Sequence, residues 1–128
     1  YKNDISSTVS KVPILLASVD AVVHERYPDW EVVWYGHIGD GNLHLNILKP
    51  EDLDIAEFKA QCNTVSTDIF EAIKTLGGSV SAEHGVGTLK APYLAYTKSE
   101  SEIAAMRAIK AIFDPDGVLN PGKVFATP

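Results

Sequence analysis

The residues best suited to chemistry lie in two short segments of the chain. The first holds two histidines, His37 and His44, on either side of a turn-forming Gly-Asp-Gly-Asn run. The second holds the adjacent pair Glu83 and His84. Two imidazoles and one carboxylate, with one position left open for water or substrate, form the ligand set of a catalytic zinc-type site. The sequence therefore predicts a metal site built from His37, His44 and Glu83, with His84 beside it but not a ligand.

The residues around the turn alternate in character, which is typical of a β-hairpin. With a two-residue loop at Asp40-Gly41, His37 and His44 are directly opposed, with Cβ atoms about 5 Å apart. One face of the hairpin is then apolar and suited to packing against helices, and the other is polar. The apolar face carries Trp34, Ile38, Leu43, Leu45 and Ile47, and the polar face carries Tyr35, His37, Asn42, His44 and Asn46. A one-residue slip would bury the polar set, so the pattern resists it.

Each of these groups also has a purely structural interpretation. Two histidines on a sheet can hydrogen-bond each other or a neighbour, and Glu83 can be a solvated carboxylate favoured by a helix N-terminus. His24 lies on the polar face of a predicted helix and is given no role. Cys62 falls on an apolar helical stripe, so it is predicted to be a small buried hydrophobe.

The elements that must position these residues follow from apolar spacing and from helix start and stop signals. The predicted elements are a weak strand over 1–9, a helix from Ser10 to Pro28, the hairpin over 32–48, a helix from Asp54 to Leu76, a strand over 79–82, and a helix from Ser99 to Phe113. Capping-box patterns open the second and third helices. This order is that of a ferredoxin-like α+β sandwich with an additional C-terminal helix. We therefore expect one antiparallel sheet covered by helices on one face, with the other face free to carry a site.

The spacing of the apolar residues predicts which helix faces are buried. The predicted stripes are Val12, Leu15, Leu16, Val19, Val22 and Val23 in the first helix, Ile55, Phe58, Cys62, Val65, Ile69, Ile73 and Leu76 in the second, and Ile103, Met106, Ile109, Ile112 and Phe113 in the third.

Composition excludes several broad classes of protein. The chain has 128 residues, of which 45% are hydrophobic, so it is long enough to bury the core of one folded domain and too short for two. Lys and Arg number 11 against 17 Asp and Glu, and the net charge of −6 would repel a phosphate backbone, so no nucleic-acid partner is expected. A single cysteine excludes an internal disulfide and a multi-cysteine zinc site.

Because no signal peptide or membrane-spanning run is evident, the expected location is the cytoplasm, with the inner-membrane periphery or a eukaryotic mitochondrion as alternatives. The chain begins at Tyr1 without an initiator methionine, which suggests a piece of a longer protein.

Three motifs, in order, resemble the C-terminal domain of FAD-linked oxidases. They are Gly36-His37-Ile38-Gly39-Asp40-Gly41-Asn42-Leu43-His44, Ser81-Ala82-Glu83-His84-Gly85-Val86-Gly87, and Phe113-Asp114-Pro115 through Leu119-Asn120-Pro121-Gly122-Lys123. The opening residues 1–6 are also similar to the family segment that starts this domain, so the resemblance spans the chain. The family contains flavoproteins that oxidise D-2-hydroxy acids: D-lactate dehydrogenases, the glycolate oxidase D subunit and D-2-hydroxyglutarate dehydrogenases. The last branch looks most similar.

The resemblance implies a division of labour between two domains. An N-terminal domain of the vanillyl-alcohol-oxidase type would bind FAD, and residues 1–128 would cover the flavin and supply the site for a small 2-hydroxy acid. A homodimer is one expected assembly, and the electron acceptor is unknown. The fragment alone is expected to be inactive, because the FAD-binding half lies outside it.

The resemblance also implies a role for each matching residue. His37, His44 and Glu83 match ligands of a divalent metal, for which zinc is the expected ion. His84 matches the histidine that takes the proton of the substrate hydroxyl next to the flavin. Lys2 and Asn46 match contacts to the substrate carboxylate and the metal region. Asn120 matches a residue close to the flavin.

Two other functions would use the same residues. A metal-dependent hydrolase would use the two histidines and the carboxylate to activate water, although the sequence contains no His-Glu-x-x-His motif. A non-catalytic ferredoxin-like binding or dimerisation module would use the histidines structurally. Oxidation of a D-2-hydroxy acid is the function that the three motifs favour.

Overall fold

The computed structural model describes residues 1–125 of the chain. The helices and strands are β1 (Lys2–Ser6), α1 (Val12–Arg26), β2 (Val32–His37), β3 (Asn42–Ile47), α2 (Ile55–Thr75) and α3 (Glu100–Phe113), with short 3-10 turns at Val9–Lys11, Ile38–Asp40 and Ala91–Tyr96. None of the helices in this range combines the length and the apolar character that crossing a bilayer requires.

The three strands form an antiparallel sheet in the order β1-β3-β2. Because β1 and β2 are both antiparallel to the central β3, they run parallel to each other, and α1 makes the crossover between them. The buried side chains of β1 and β3 pack against α1 and α2 on one face of this sheet. The α+β class and the one-sided cover of helices are therefore confirmed.

The predicted strand over 79–82 is reduced to a single bridge on the outer edge of β1. Ser79 and Ser6 exchange two backbone hydrogen bonds of 3.0 and 2.8 Å. Beyond that point the Ser79 hydroxyl donates to the carbonyl of Ser81 and accepts from its amide, which interrupts the ladder before the amide of Ala82 donates again to the backbone carbonyl of Asp4 at 3.3 Å. The strand prediction was wrong here because side-chain hydrogen bonds of this kind compete with ladder pairing.

The core lies between the sheet and the first two helices. Its fully buried members include Ile5, Leu45 and Ile47 from the sheet, Leu15, Val19 and Val23 from α1, and Cys62, Val65, Ile69, Phe70 and Ile73 from α2. Cys62 is buried, as predicted, and burial raises the pKa of its thiol to about 11. Ile55 was expected inside but is 52% exposed, because it occupies the first position of α2, where the stripe has not yet turned toward the core.

The helix start signals of α2 and α3 are confirmed, and that of α1 is not. The side chain of Asp54 accepts hydrogen bonds from the amides of Ala56 and Glu57. Ser99 and Glu102 form a complete capping box at α3. In contrast, Ser10 lies within a 3-10 turn that leads directly into α1 and does not cap it.

The apolar stripe of α3 is not buried, which corrects the sequence prediction. Ile109 is 57% exposed, and Ile112 and Phe113 are each 76% exposed, while Ile103 and Met106 are partly covered. The spacing correctly predicted an amphipathic helix. It could not predict which surface covers that helix, and no surface within residues 1–125 buries it.

Candidate active site

The hairpin loop is longer than predicted, and the register of the strands shifts accordingly. Tyr35 lies opposite His44, and His37 lies opposite Asn42, so residues 38–41 form the loop. The direct opposition of His37 and His44 was therefore wrong. Because the shift is by two residues, each side chain keeps its predicted face. The two imidazoles are diagonal neighbours on the face away from the helices, with ring centroids 5.9 Å apart.

Two glycines explain this four-residue loop. Gly41 has a φ of 70° and closes the 3-10 turn, while its carbonyl accepts a 3.1 Å hydrogen bond from the amide of Ser7. Gly36 lies so close to β3 that a Cβ built on it would be 2.3 Å from the carbonyl oxygen of Asn42. Ile38, predicted on the apolar face, is 68% exposed because it belongs to the loop and not to β2.

Glu83 is the carboxylate around which the histidines gather. Its Oε1 atom lies 3.1 Å from Nε2 of His44 and 3.5 Å from Nε2 of His84. Its Oε2 atom lies 3.4 Å from Nδ1 of His37. The structure therefore brings together all four of the residues that the sequence singled out for a metal site and its neighbour.

Asp4 belongs to the same cluster and was missed by the sequence reasoning. It lies on β1 directly opposite His44, and its Oδ1 atom is 3.5 Å from Nδ1 of that histidine. Asp4, His44, Glu83 and His84 each offer a potential ligand atom, and these four atoms lie within 4.8 Å of one another. The signal was available, since Asp4 follows Lys2 by two positions and a strand directs both side chains to one face.

Glu83 and His84 both line the same cleft. The segment after Ser79 is irregular, so strand alternation does not assign their side chains to different faces. Their separate roles must therefore come from their chemistry.

The cluster lies in an open cleft of about 830 Å³ on the free face of the sheet. Lys2 and Asn46 line it and are directly paired across β1 and β3. Asn46 is only 9% exposed, and its Nδ2 atom has no hydrogen-bond partner among the described residues. An unsatisfied buried amide at the wall of a cleft is suited to donating a hydrogen bond to a ligand.

Lys90 is a second cleft residue that the sequence did not signal. Its ammonium donates to Oδ1 of Asn3 and lies 4.4 Å from the ring centroid of Phe70. Burial lowers the pKa of Lys90 from its usual 10.5 to about 8, and the nearby carboxylate of Asp4 opposes that shift. The cleft therefore contains a lysine whose charged form is disfavoured by burial.

Asn120 lies outside the cleft, in an adjoining groove of about 470 Å³. This groove is lined by Met106, Ile109, Lys110, Leu119, Asn120, Lys123, Val124 and Phe125, and Lys123 also lines the cleft. Asp114 fixes the loop before Asn120, because its carboxylate accepts from the amides of Val118 and Leu119 and from the ammonium of Lys110. These hydrogen bonds hold the pKa of the Asp114 carboxyl below its usual range.

The fold and the site together define the class of protein. It is an α+β domain whose sheet carries, on its free face, a cleft lined by histidines and carboxylates. Residues 1–124 match the family described as FAD linked oxidases, C-terminal domain, and the chain belongs to that family. It is 60% identical to a D-2-hydroxyglutarate dehydrogenase of Stutzerimonas stutzeri, over 98% of this chain and 27% of that protein. It is 51% identical to a protein of the same name from Xanthomonas citri pv. viticola, over 99% of this chain and 27% of that protein. It is 43% identical to glycolate oxidase subunit GlcD of Bacillus subtilis, over 77% of this chain and 20% of that protein. The chain thus spans about a quarter of the length of the curated relatives it matches.

Proposed function

We propose that this domain is the substrate- and metal-binding part of an FAD-dependent dehydrogenase that oxidises a D-2-hydroxy acid to the 2-oxo acid. The observation that carries the proposal is the convergence of three histidines on Glu83 in one open cleft. Membership of the FAD linked oxidase family supports the redox chemistry. Since two of the relatives are named D-2-hydroxyglutarate dehydrogenase, D-2-hydroxyglutarate is the first substrate to test.

The donor set in the cleft fits a divalent metal ion. His37, His44 and Glu83 would hold it, because two imidazoles and a carboxylate suit zinc and also iron, manganese and cobalt. The fit is supported by the position of Glu83, whose oxygens lie 3.1 Å from Nε2 of His44 and 3.4 Å from Nδ1 of His37. The more compact group of potential ligand atoms contains Asp4 and His84 in place of His37. Such an ion, when bound, lowers the pKa of an alcohol and orients the carboxylate beside it.

The remaining cleft residues supply proton transfer and charge recognition. The side chain of His84 is 69% exposed and contacts Glu83 only at 3.5 Å, so its imidazole is free to accept the proton of the substrate hydroxyl. Lys2 offsets the charge of the substrate carboxylate. The unpartnered amide of Asn46 donates a hydrogen bond to the same carboxylate.

The FAD belongs to a preceding domain of the same polypeptide in this proposal. Such a flavin would supply the hydride acceptor for the oxidation, while the residues of this domain bind and orient the substrate. The groove around Asn120 suits the edge of a flavin, since it joins the cleft through Lys123 and is lined by apolar and aromatic side chains around one amide. The exposed apolar side chains of α3, including Ile112 and Phe113, would pack against that FAD-binding domain. The greater length of the relatives supports this assignment.

The location proposed for the protein is the cytoplasm, or the mitochondrion in a eukaryotic source. A relative from Danio rerio, 42% identical over 96% of this chain and 22% of that protein, is named as mitochondrial.

The experiment that tests the function is anaerobic reduction of the flavin in the full-length protein. Bleaching of the oxidised flavin by D-2-hydroxyglutarate or D-lactate, but not by the L-enantiomers, is the expected result. Elemental analysis of the same sample should find about one divalent ion per chain. Bound metal with ester or amide hydrolysis and no flavin reduction would favour the hydrolase. Neither metal nor flavin reduction would favour the non-catalytic module.

A further inference from the structure

The carboxylate of Asp4 has two oxygens in different surroundings. Its Oδ2 atom accepts hydrogen bonds from three consecutive backbone amides, those of Ala82, Glu83 and His84, at 2.9, 2.9 and 3.2 Å. Three N–H donors occupy the acceptor capacity of one carboxylate oxygen. That oxygen is therefore committed to the backbone, and it ties the segment that carries Glu83 and His84 to β1.

The other oxygen of Asp4, Oδ1, faces His44. It is buried, lies 3.5 Å from Nδ1 of the imidazole, and forms no hydrogen bond within residues 1–125. A buried carboxylate oxygen without a partner is costly, and a shortening of about 0.5 Å would give an ordinary N–H···O bond. The cross-strand pairing of Asp4 with His44 keeps the two side chains on the same face.

The imidazole of His44 therefore lies between two carboxylates. Its Nδ1 atom faces Asp4, and its Nε2 atom faces Glu83 at 3.1 Å. The side chains of His44 and Asp4 are only 12% and 13% exposed, so water screens this contact weakly. A histidine that binds a metal through one nitrogen commonly donates its other N–H to a carboxylate, which fixes the tautomer and the orientation of the ring.

We propose that Asp4 is a positioning residue and not a metal ligand. With a metal ion bound, its carboxylate would accept from Nδ1–H of His44 and so leave Nε2, the nitrogen on the side of Glu83, as the ligand atom. The same carboxylate holds the Glu83–His84 backbone against β1 through the three amide bonds. The inference rests on the proposed function in one respect, namely that Nε2 of His44 is the atom offered to the metal.

The substitution Asp4→Asn tests this proposal in the full-length, FAD-loaded protein. The amide oxygen of the new side chain can keep the three backbone hydrogen bonds, but its NH2 group then faces Nδ1 of His44. That nitrogen must become an acceptor, so the proton moves to Nε2 and blocks it. Replacing the native ion with Co²⁺ makes metal binding visible through the d–d absorption bands.

The expected result is a 10- to 100-fold weaker Kd for Co²⁺ in Asp4→Asn, with unchanged band positions and unchanged FAD content. Glu83→Gln should both weaken binding and shift the bands, because it alters a ligand. Asp20→Asn is the matched control, since Asp20 accepts a 2.7 Å hydrogen bond from the indole of Trp34 outside the cleft and should leave the Kd unchanged. Bands that shift in Asp4→Asn as they do in Glu83→Gln, or a Kd that does not change, would overturn the proposal.

A second measurement does not depend on the variant folding. Long-range ¹H–¹⁵N correlation spectra of the Zn²⁺-loaded, ¹⁵N-histidine-labelled full-length protein report which nitrogen of His44 carries the proton, with His44→Gln identifying its signals. The proton is expected on Nδ1, and a proton on Nε2, with the metal on Nδ1, would refute the positioning role. Wild-type protein that binds neither Co²⁺ nor Zn²⁺ would instead refute the proposed function, and the positioning role with it.

Discussion

Gly41 lies so close to Ser7 that a Cβ atom built on the glycine would be 1.9 Å from the carbonyl oxygen of the serine. The amide of Ser7 in turn donates to the carbonyl of Gly41 at 3.1 Å. This contact joins the hairpin loop to the end of β1. It thereby helps to hold His37 and His44 in place relative to Asp4.

Substitution of Gly41 should therefore be costly. Gly41→Ala would combine the clash with the Ser7 backbone and a left-handed φ of 70°, so we expect a loss of about 3 kcal/mol in the free energy of unfolding. Gly39→Ala is the matched control in the same loop, because a Cβ there meets no described atom within 4 Å, and it should change stability by less than about 0.5 kcal/mol. Urea denaturation of both variants makes the comparison. Equal effects would mean that the Gly41–Ser7 contact does not constrain the loop.

The adjacent residues Glu83 and His84 should be separable by their chemistry. Glu83→Gln is expected to lower metal affinity, because a neutral amide is a poorer ligand for these cations. His84→Asn should retain the metal and bind substrate but slow flavin reduction by about 10²- to 10⁴-fold. Metal analysis and stopped-flow flavin reduction on both variants provide the measurements. Loss of metal in His84→Asn with retention in Glu83→Gln would reverse the two assignments.

Because its amide is unpartnered, we expect Asn46 to contribute to ligand binding more than to the stability of the fold. Because Nδ2 forms no hydrogen bond with the described residues, Asn46→Ala should change the free energy of unfolding by less than about 1 kcal/mol. The same variant should weaken substrate binding about 10- to 100-fold, since it removes a hydrogen bond to a charged group. Denaturant titration and substrate titration of the flavin spectrum measure the two effects. Large destabilisation with unchanged substrate affinity would assign Asn46 a structural role.

Lys90 should make stability depend on pH in the alkaline range. Its folded pKa of about 8 lies below the usual 10.5, chiefly because burial penalises the charged form. The penalty is fully present below pH 8, and it is relieved as pH rises from 8 to 10.5, since the folded state loses the proton first. The contribution of Lys90 to stability therefore increases with pH across that window, by roughly 2 kcal/mol.

Comparison with Lys90→Met isolates this effect from other titrating groups. The free energy of unfolding is measured for both proteins at pH 7.5 and pH 10. The wild-type value should rise relative to that of the variant between the two conditions. A constant difference between the two proteins would show that Lys90 keeps an ordinary pKa.

The exposed apolar face of α3 should affect stability only in the full-length protein. Ile112→Ser should weaken packing against the FAD-binding domain by about 2 kcal/mol, the magnitude expected for burying one isoleucine side chain. It should lower the denaturant concentration at which flavin is released. Ile14→Ser, at a 55% exposed position on α1, is the matched control and should have little effect. If both variants behave alike, α3 does not contact the flavin-binding part.

The sequence predicted those features that depend on local periodicity and on short end signals. The alternation of Leu43, His44, Leu45 and Asn46 was enough to assign the two faces of β3, because a strand allows each residue only one of two directions. The capping box at Ser99 was equally local. The resemblance of the motifs placed the chain in the correct family, and the match over residues 1–124 confirms it.

The errors arose where contacts between distant residues override local pattern. The hairpin loop lengthened because Gly41 bonds to Ser7, a residue 34 positions earlier in the chain. The fourth strand stops after Ser79 because the hydroxyl of Ser79 bonds to the backbone of Ser81, and the amides of Glu83 and His84 then bond to the side chain of Asp4 instead of a ladder. Asp4 shares a strand face with Lys2, which the sequence shows, but its contacts with His44 and with the amide of Glu83 depend on segments distant in the chain. The exposure of α3 was likewise invisible to a periodicity argument.

The candidate site draws its residues from three segments of the chain that meet only in the folded sheet, represented by Asp4, His44 and Glu83. No single segment contains the whole arrangement, so a ligand that binds the cluster has no equivalent site in the unfolded chain. Its binding free energy is then added to the stability of the whole domain, by RT ln(1 + [L]/Kd). A higher concentration of that ligand would consequently raise the unfolding temperature of regions far from the cleft, including the core around Cys62.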